Sequence, residues 1–214
     1  MTPQFAKAVD PIFEYILTLL DRIDQRQSPS PEQTQSFIRN VLLNRAEQQL
    51  GQSHEWQMAK YALVCWIDEM LVNSRWEGQG WWMNNVLEFA MFQSSDRALK
   101  FYVSAKEAVG TATGDAMEVY YLAVILGFRG VYENPEQSAI DIAANDLPPS
   151  LEEWLRRTGE GIRLSATMPI QSTGRLPQGA PPLGGYSFLT SSLVLFTVAA
   201  AIFCVVLIIR GSFS

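Results

Sequence analysis

Hydrophobic residues along the first 160 positions recur at intervals of three and four, the spacing that places them on one face of an α-helix. Phe5, Val9, Ile12, Phe13, Ile16, Leu19, Leu20 and Ile23 form such a stripe over residues 4 to 26. Pro11 interrupts it, and because proline lacks an amide donor and crowds the preceding turn, the expected start is near Asp10. Ser28-Pro-Ser-Pro31 is a clean break, after which Ser30 as cap, Pro31 as first residue and Gln33 at the capping-box position open a second helix, to Leu50-Gly51. Ser53 begins a third, Trp56 to Asn73, apolar on nearly every side and therefore expected at the centre of the fold. A loop at Arg75 to Gly80 precedes a short helix carrying Trp81, Trp82, Val86, Leu87 and Phe92; Ser94 or Ser95 caps the next, and Asp115 starts one that Gly127 ends. The signatures Asn134-Pro-Glu-Gln137 and Ser150-Leu-Glu-Glu153 predict two more, ending at Ala144 and at Gly159-Glu-Gly161. No window alternates with the period of a strand, so residues 1–160 read as an all-α domain of about eight helices.

The pattern changes twice after that. Residues 161–185 are rich in glycine, proline, serine and threonine, which cannot build a core and read as a flexible linker. Tyr186 to Ile209 then carry no charge, proline or glycine. At about 1.5 Å per residue that stretch reaches roughly 36 Å, enough to cross a hydrocarbon core as one transmembrane helix. Only residues 210–214 follow, so the chain reads as tail-anchored, with a short periplasmic tail. Acids within the apolar part of the N-terminal segment argue against a signal peptide, which leaves the helical domain in the cytoplasm. Arg156, Arg157, Arg163 and Arg175 before the span, against Arg210 after it, agree with that orientation.

Charge sharpens the division. All 22 acids and 13 of the 16 lysines and arginines lie at or before Glu160, so the domain is near −9 and the remainder near +3. An acidic domain disfavours nucleic acid and suits protein partners with basic faces. Cys65 and Cys204 stand on opposite sides of the membrane boundary and cannot pair, which fits a reducing compartment.

Candidate chemistry is sparse. His54, the one histidine, has no histidine or cysteine one turn away, so no metal site is expected; no phosphate-binding loop or nucleophile elbow occurs, and no cofactor is implied. The acidic pair Asp68-Glu69 stands out in an apolar helix. Adjacent helical residues point about 100° apart, so the two do not converge as a catalytic dyad. Three readings remain: a solvated helix edge, a carboxylate bonding the backbone of a following loop, or the lining of an acidic groove for a protein partner, with Glu77, Glu88 and Glu118. The partner-binding candidates are Asp68, Glu69, Trp76, Glu77, Trp81, Trp82 and Arg129; the tryptophans read first as core or loop packing and as hot spots if they rim a groove, and Arg129 reads as a structural ion pair or a partner contact. Ala199 to Ala201 offers a small-residue patch for self-association of the span.

The order of Ala59-Lys-Tyr-Ala-Leu-Val-Cys-Trp-Ile-Asp-Glu69, Trp76, Trp81-Trp82, Leu87, Lys100-Phe-Tyr102, Glu118-Val-Tyr-Tyr-Leu122 and Gly127-Phe-Arg-Gly-Val-Tyr132 resembles the TssL/DotU family of bacterial secretion systems. The resemblance covers about Tyr15 to Leu155. It implies an inner-membrane, non-enzymatic subunit of a type VI secretion system or its type IVB cousin, with a cytoplasmic hook of two packed helical bundles. It further implies assembly with TssM, through it with the lipoprotein TssJ, and recruitment of TssK and other baseplate proteins, with Asp68 and Glu69 in or beside the cleft of the hook. Some relatives append a peptidoglycan-binding domain that five residues after the span cannot supply. Two other classes are compatible with the residues alone: a tail-anchored adaptor that captures an amphipathic helix, and a membrane-tethered enzyme using Asp68 or Glu69.

Overall fold

A computed structural model describes residues 1–111 and 113–167. The predicted apolar span, the tail and most of the predicted linker lie outside the described residues, among which no helix is long and apolar enough to cross a membrane. The described residues hold helices and turns and no strand. In order they are α1 (Pro3–Asp24), α2 (Pro31–Phe37), a π-helical turn (Ile38–Leu43), α3 (Asn44–Leu50), α4 (His54–Asn73), α5 (Gln79–Asn84), α6 (Leu87–Phe92), α7 (Arg97–Ala108), α8 (Asp115–Ile125), a 3-10 turn (Gly130–Tyr132), α9 (Ala139–Ala144) and α10 (Leu151–Thr167).

Helix α4 is the axis. From Ala59 to Glu69 it has one interruption in its burial, at Lys60, and it packs most extensively on α8, with α5, α6, α7 and α1 around it. A helix apolar all round can satisfy itself only at such a centre. Helix α1 covers one side with Phe5, Val9, Ile12, Phe13, Ile16 and Leu19, and the Phe13 ring lies 4.9 Å from that of Trp66. An aromatic cluster joins α7, the turns after α8 and α10: Phe101 stacks on Phe128 at 3.9 Å, and Tyr102 meets Tyr132 at 4.8 Å and Trp154 at 5.3 Å.

Several boundaries differ from those the periodicity predicts, each for a physical reason. Helix α1 begins at Thr2-Pro3, whose cap accepts from the Phe5 amide, and passes through Pro11, which sits on the exposed face while Val9 and Ile12 on either side are buried. Burial of the stripe outweighs one missing backbone bond. The second predicted helix is continuous from Pro31 to Leu50 but contains the π-turn, which leaves Phe37 and Val41 exposed around buried Ile38. The tryptophan-rich helix is two helices, α5 and α6, separated at Asn85-Val86. Helix α7 starts at Arg97 rather than after Ser94 or Ser95, and α9 starts at Ala139, the residues from Asn134 forming turns. Helix α10 runs past Gly159 and Gly161 to Thr167, braced by Arg156 to Glu153 and Glu160 and by Arg157 to Glu153.

Candidate functional site

Asp68 and Glu69 occupy the last turns of α4, and both carboxylates point into protein. Asp68 is fully buried. Its Oδ1 accepts from the indole Nε1 of Trp82 at 2.9 Å and the amide of Leu87 at 2.8 Å, and its Oδ2 accepts from the amide of Glu88 at 2.7 Å. The two amides are the first of α6, which has no local cap, so a carboxylate from a neighbouring helix supplies what a serine or aspartate ordinarily supplies next door. The break between α5 and α6 follows, because the chain must present those amides to Asp68.

Glu69, about 100° round the helix, does the same for the loop after α8. Its Oε1 accepts from the Arg129 amide at 2.5 Å and its Oε2 from the Gly130 amide at 3.2 Å. Glu88 continues the chain of braces: it is fully buried, accepts the Tyr61 hydroxyl at 2.9 Å, and takes the amides of Asp96 and Arg97 at 3.2 Å each, the start of α7. At the other end of α4, Glu55 accepts from the Asp115 amide at 2.7 Å at the start of α8, while Asp115 accepts from the Thr2 amide at 2.5 Å and its hydroxyl at 2.7 Å at the start of α1. Five acids thus tie the starts of α1, α6, α7 and α8 and the 129–130 turn to other elements.

Burial pushes the Asp68 carboxyl up to about 6, against the lowering effect of the Glu88 and Leu87 amides and the Trp82 indole. Burial raises Glu69 as well, opposed by the amides of Arg129 and Gly130. Neither carboxylate bonds a cation. With their acceptor positions occupied by donors from the fold, and their directions divergent, the pair forms a joint rather than a reaction centre.

The other candidates fall in two groups. Trp82 is fully buried, and Trp81 and Trp76 lean on it at ring distances of 6.2 and 6.3 Å; Trp76 donates its indole proton to the Leu71 carbonyl at 3.0 Å. Arg129 turns its guanidinium to the carbonyls of Val124 and Phe128, at 3.1 and 3.2 Å, so the ion pair across the domain expected for it is replaced by a helix-end cap. Glu77 is exposed, and Glu118 half-buried. The structure therefore gathers Asp68, Trp76, Trp81 and Trp82 at one joint, with Glu88 beside them; Glu69 and Arg129 meet at a second, through the Arg129 backbone rather than its charge. Glu55 was not singled out by the sequence, and Asp115 only as a helix start; acids at helix starts are common, and nothing local marks these as reaching across the fold.

The joint predicts a measurable donor effect. Replacing Trp82 by Phe keeps most of the ring packing and removes one hydrogen bond to a charged, buried acceptor, so Trp82→Phe is expected to cost about 1.5–3 kcal/mol by urea unfolding.

These motif residues lie within a match between residues 4–211 and the model of a family described as type VI secretion system protein DotU. The chain belongs to the DotU family. Members are structural components of type VI secretion and are not known as enzymes, which accords with a pair of carboxylates engaged by the fold. Among solved structures, the cytoplasmic domain of TssL from Acinetobacter baumannii resembles the chain with a TM-score of 0.59 and 23% identity, over 75% of this chain and 98% of that one. That likeness is one of fold. No curated protein matches the sequence.

Proposed function

We propose that this DotU-family chain is a structural subunit of a type VI secretion membrane complex, tail-anchored in the bacterial inner membrane by residues 186–209. Its helical body stands in the cytoplasm as a hook of two packed bundles, binds TssM and through it TssJ, and recruits TssK and other baseplate proteins. The observation that carries this reading is the reach of the family match, which runs beyond the helical body and across the apolar stretch to residue 211. Body and apolar stretch therefore belong to one pattern, and the family description favours a type VI over a type IVB system. The acidic balance of residues 1–160 suits recruitment of partners with basic faces.

Placement is the function in this reading, and it is tested by removing the placement. Affinity isolation of the full chain from mildly solubilised membranes is expected to recover a large membrane protein of the TssM kind together with baseplate components. A chain ending at residue 167 is expected to fractionate with soluble protein, to recover no membrane partner and to leave secretion blocked. Restoration of secretion by that short chain at native expression would contradict the reading.

A further inference from the structure

Away from Asp68 and Glu69, a cavity of about 340 Å³ opens between the end of α7, the start of α8, the 146–148 loop and residues 154–162 of α10. Its walls are mostly apolar, with Val109, Met117, Leu147, Trp154 and Ile162 as the largest apolar side chains and Thr113 and Thr158 among the polar ones. Met117, Leu147 and Trp154 are buried, whereas Val109 is 69% exposed; one turn of α10 beyond the lining residue Gly161, Leu164 is 63% exposed. The charged residues that line it are Lys106, Arg157, Glu118 and Asp146, two of each sign. In a domain whose balance is near −9, this lining is locally neutral. Lys106 keeps its ammonium 3.0 Å from the Asn145 carbonyl and 3.5 Å from the Asp146 carboxylate, and Arg157 has its Nε on Glu153 at 2.5 Å, so a phosphate would share each cation with a surface carboxylate.

Size, lining and position point the same way. The volume falls at the small end of the range of about 300–1,000 Å³ for ligand sites, with apolar walls and a few polar groups at the edge. Helix α10, which supplies Trp154, Arg157, Gly161 and Ile162, is the last described element before the sequence passes through residues 168–185 to the apolar stretch at 186. An acidic body held to a bilayer meets least repulsion from anionic headgroups on a face where its charge is balanced and apolar side chains are exposed. We propose that this cavity is a lipid site: it takes part of one acyl chain of a membrane phospholipid, with the phosphate between Lys106 and Arg157. This rests on the anchoring proposed above.

The test uses the full chain in bilayer discs of phosphatidylethanolamine and phosphatidylglycerol, with photoreactive benzoylphenylalanine at position 109, in place of Val109, or at position 83, in place of the exposed Met83 of α5. Co-elution with the discs reports on anchoring by itself, so failure there is distinguishable from failure of the lipid site. Lipid adducts counted by mass spectrometry are expected on the order of tenfold more often from position 109 than from position 83. Gly161 lines the cavity and a Cβ there meets nothing within 4 Å, so Gly161→Trp is the substitution chosen to fill it from α10. It is expected to lower the adduct at position 109 about fivefold, with the fold checked by circular dichroism. Equal yields from the two positions in discs that hold the protein would overturn the lipid site, whether or not the filled variant folds. So would an undiminished yield in a folded Gly161→Trp protein.

Discussion

Asp68→Ala is expected to lower the stability of the helical body by about 3–5 kcal/mol, the cost of leaving buried partners of a charged group unpaired. Three donors lose their acceptor together: the Trp82 indole and the amides of Leu87 and Glu88. No water reaches them in the packed state, since Asp68, Trp82, Leu87 and Glu88 are all fully buried. Urea unfolding of residues 1–167 by circular dichroism measures the loss, and a loss under about 1 kcal/mol, the level of an ordinary surface substitution, would sink the bracing role. A pH effect accompanies it. The folded carboxyl, raised to about 6 from its ordinary 3.8, binds a proton more readily than the unfolded one. Its contribution is therefore fully present below about 3.8 and is lost as pH rises through about 6. That interval corresponds to about 3 kcal/mol. Glu69, also raised, acts in the same direction, whereas Glu47, held low by Lys60, costs stability only as the pH falls through its own lower range. Wild-type stability should accordingly rise between pH 7 and pH 5, and the rise should shrink in Asp68→Asn. A wild-type profile that falls over that interval would contradict the burial argument.

The second large effect is at Gly130. Its φ of +52° lies in the left-handed region, and a Cβ there would stand 2.6 Å from the Ala98 carbonyl oxygen and 3.2 Å from the Ala98 Cα, both backbone atoms of α7. A methyl group must push α7 away from the turn that Glu69 holds, and the aromatic cluster of Phe101, Tyr102 and Phe128 lies on the same seam. Gly130→Ala is expected to cost about 3 kcal/mol or more, a strained φ added to a backbone collision. At Gly127, φ is +115° but the nearest neighbour is the flexible end of Met70, at 3.3 Å, so Gly127→Ala is expected to cost less than Gly130→Ala. Thermal unfolding of the two variants side by side checks the order; equal midpoints would mean that α7 yields where the geometry says it cannot.

Which parts of this fold can be read from sequence depends on how far away the deciding partner lies. The central position of α4 is legible because a helix with no polar face has nowhere else to go, and the caps at Ser30, Ser53 and Ser150 are legible because each serves an amide three residues on. The split between α5 and α6 is not, because the acceptor that starts α6 is Asp68, 19 and 20 residues from the amides it binds. Glu69 reaches 60 and 61 residues to Arg129 and Gly130, a distance at which no local pattern operates. Of the three readings open for the acidic pair, the geometry selects the bond to loop backbone, extended to two loops at once. Arg129 is a similar case: its guanidinium bonds the carbonyls of Val124 and Phe128, while its backbone amide, not its charge, meets the Glu69 carboxylate. Helix α10 outran its two glycines because four-residue Arg–Glu spacing and a buried Trp154 held it in register.

The central structural claim is that Asp68 and Glu69 act as internal braces of a placed body and not as groups offered to a partner or a substrate. Amide hydrogen exchange resolved by residue, on residues 1–167 at neutral pH, tests it most directly. Bracing predicts slow exchange at Leu87, Glu88, Arg129 and Gly130 in the wild type, with Asp68→Asn speeding the first two and Glu69→Gln the last two. Wild-type exchange at all four amides as fast as at the exposed Glu133 to Gln137 turn would contradict it.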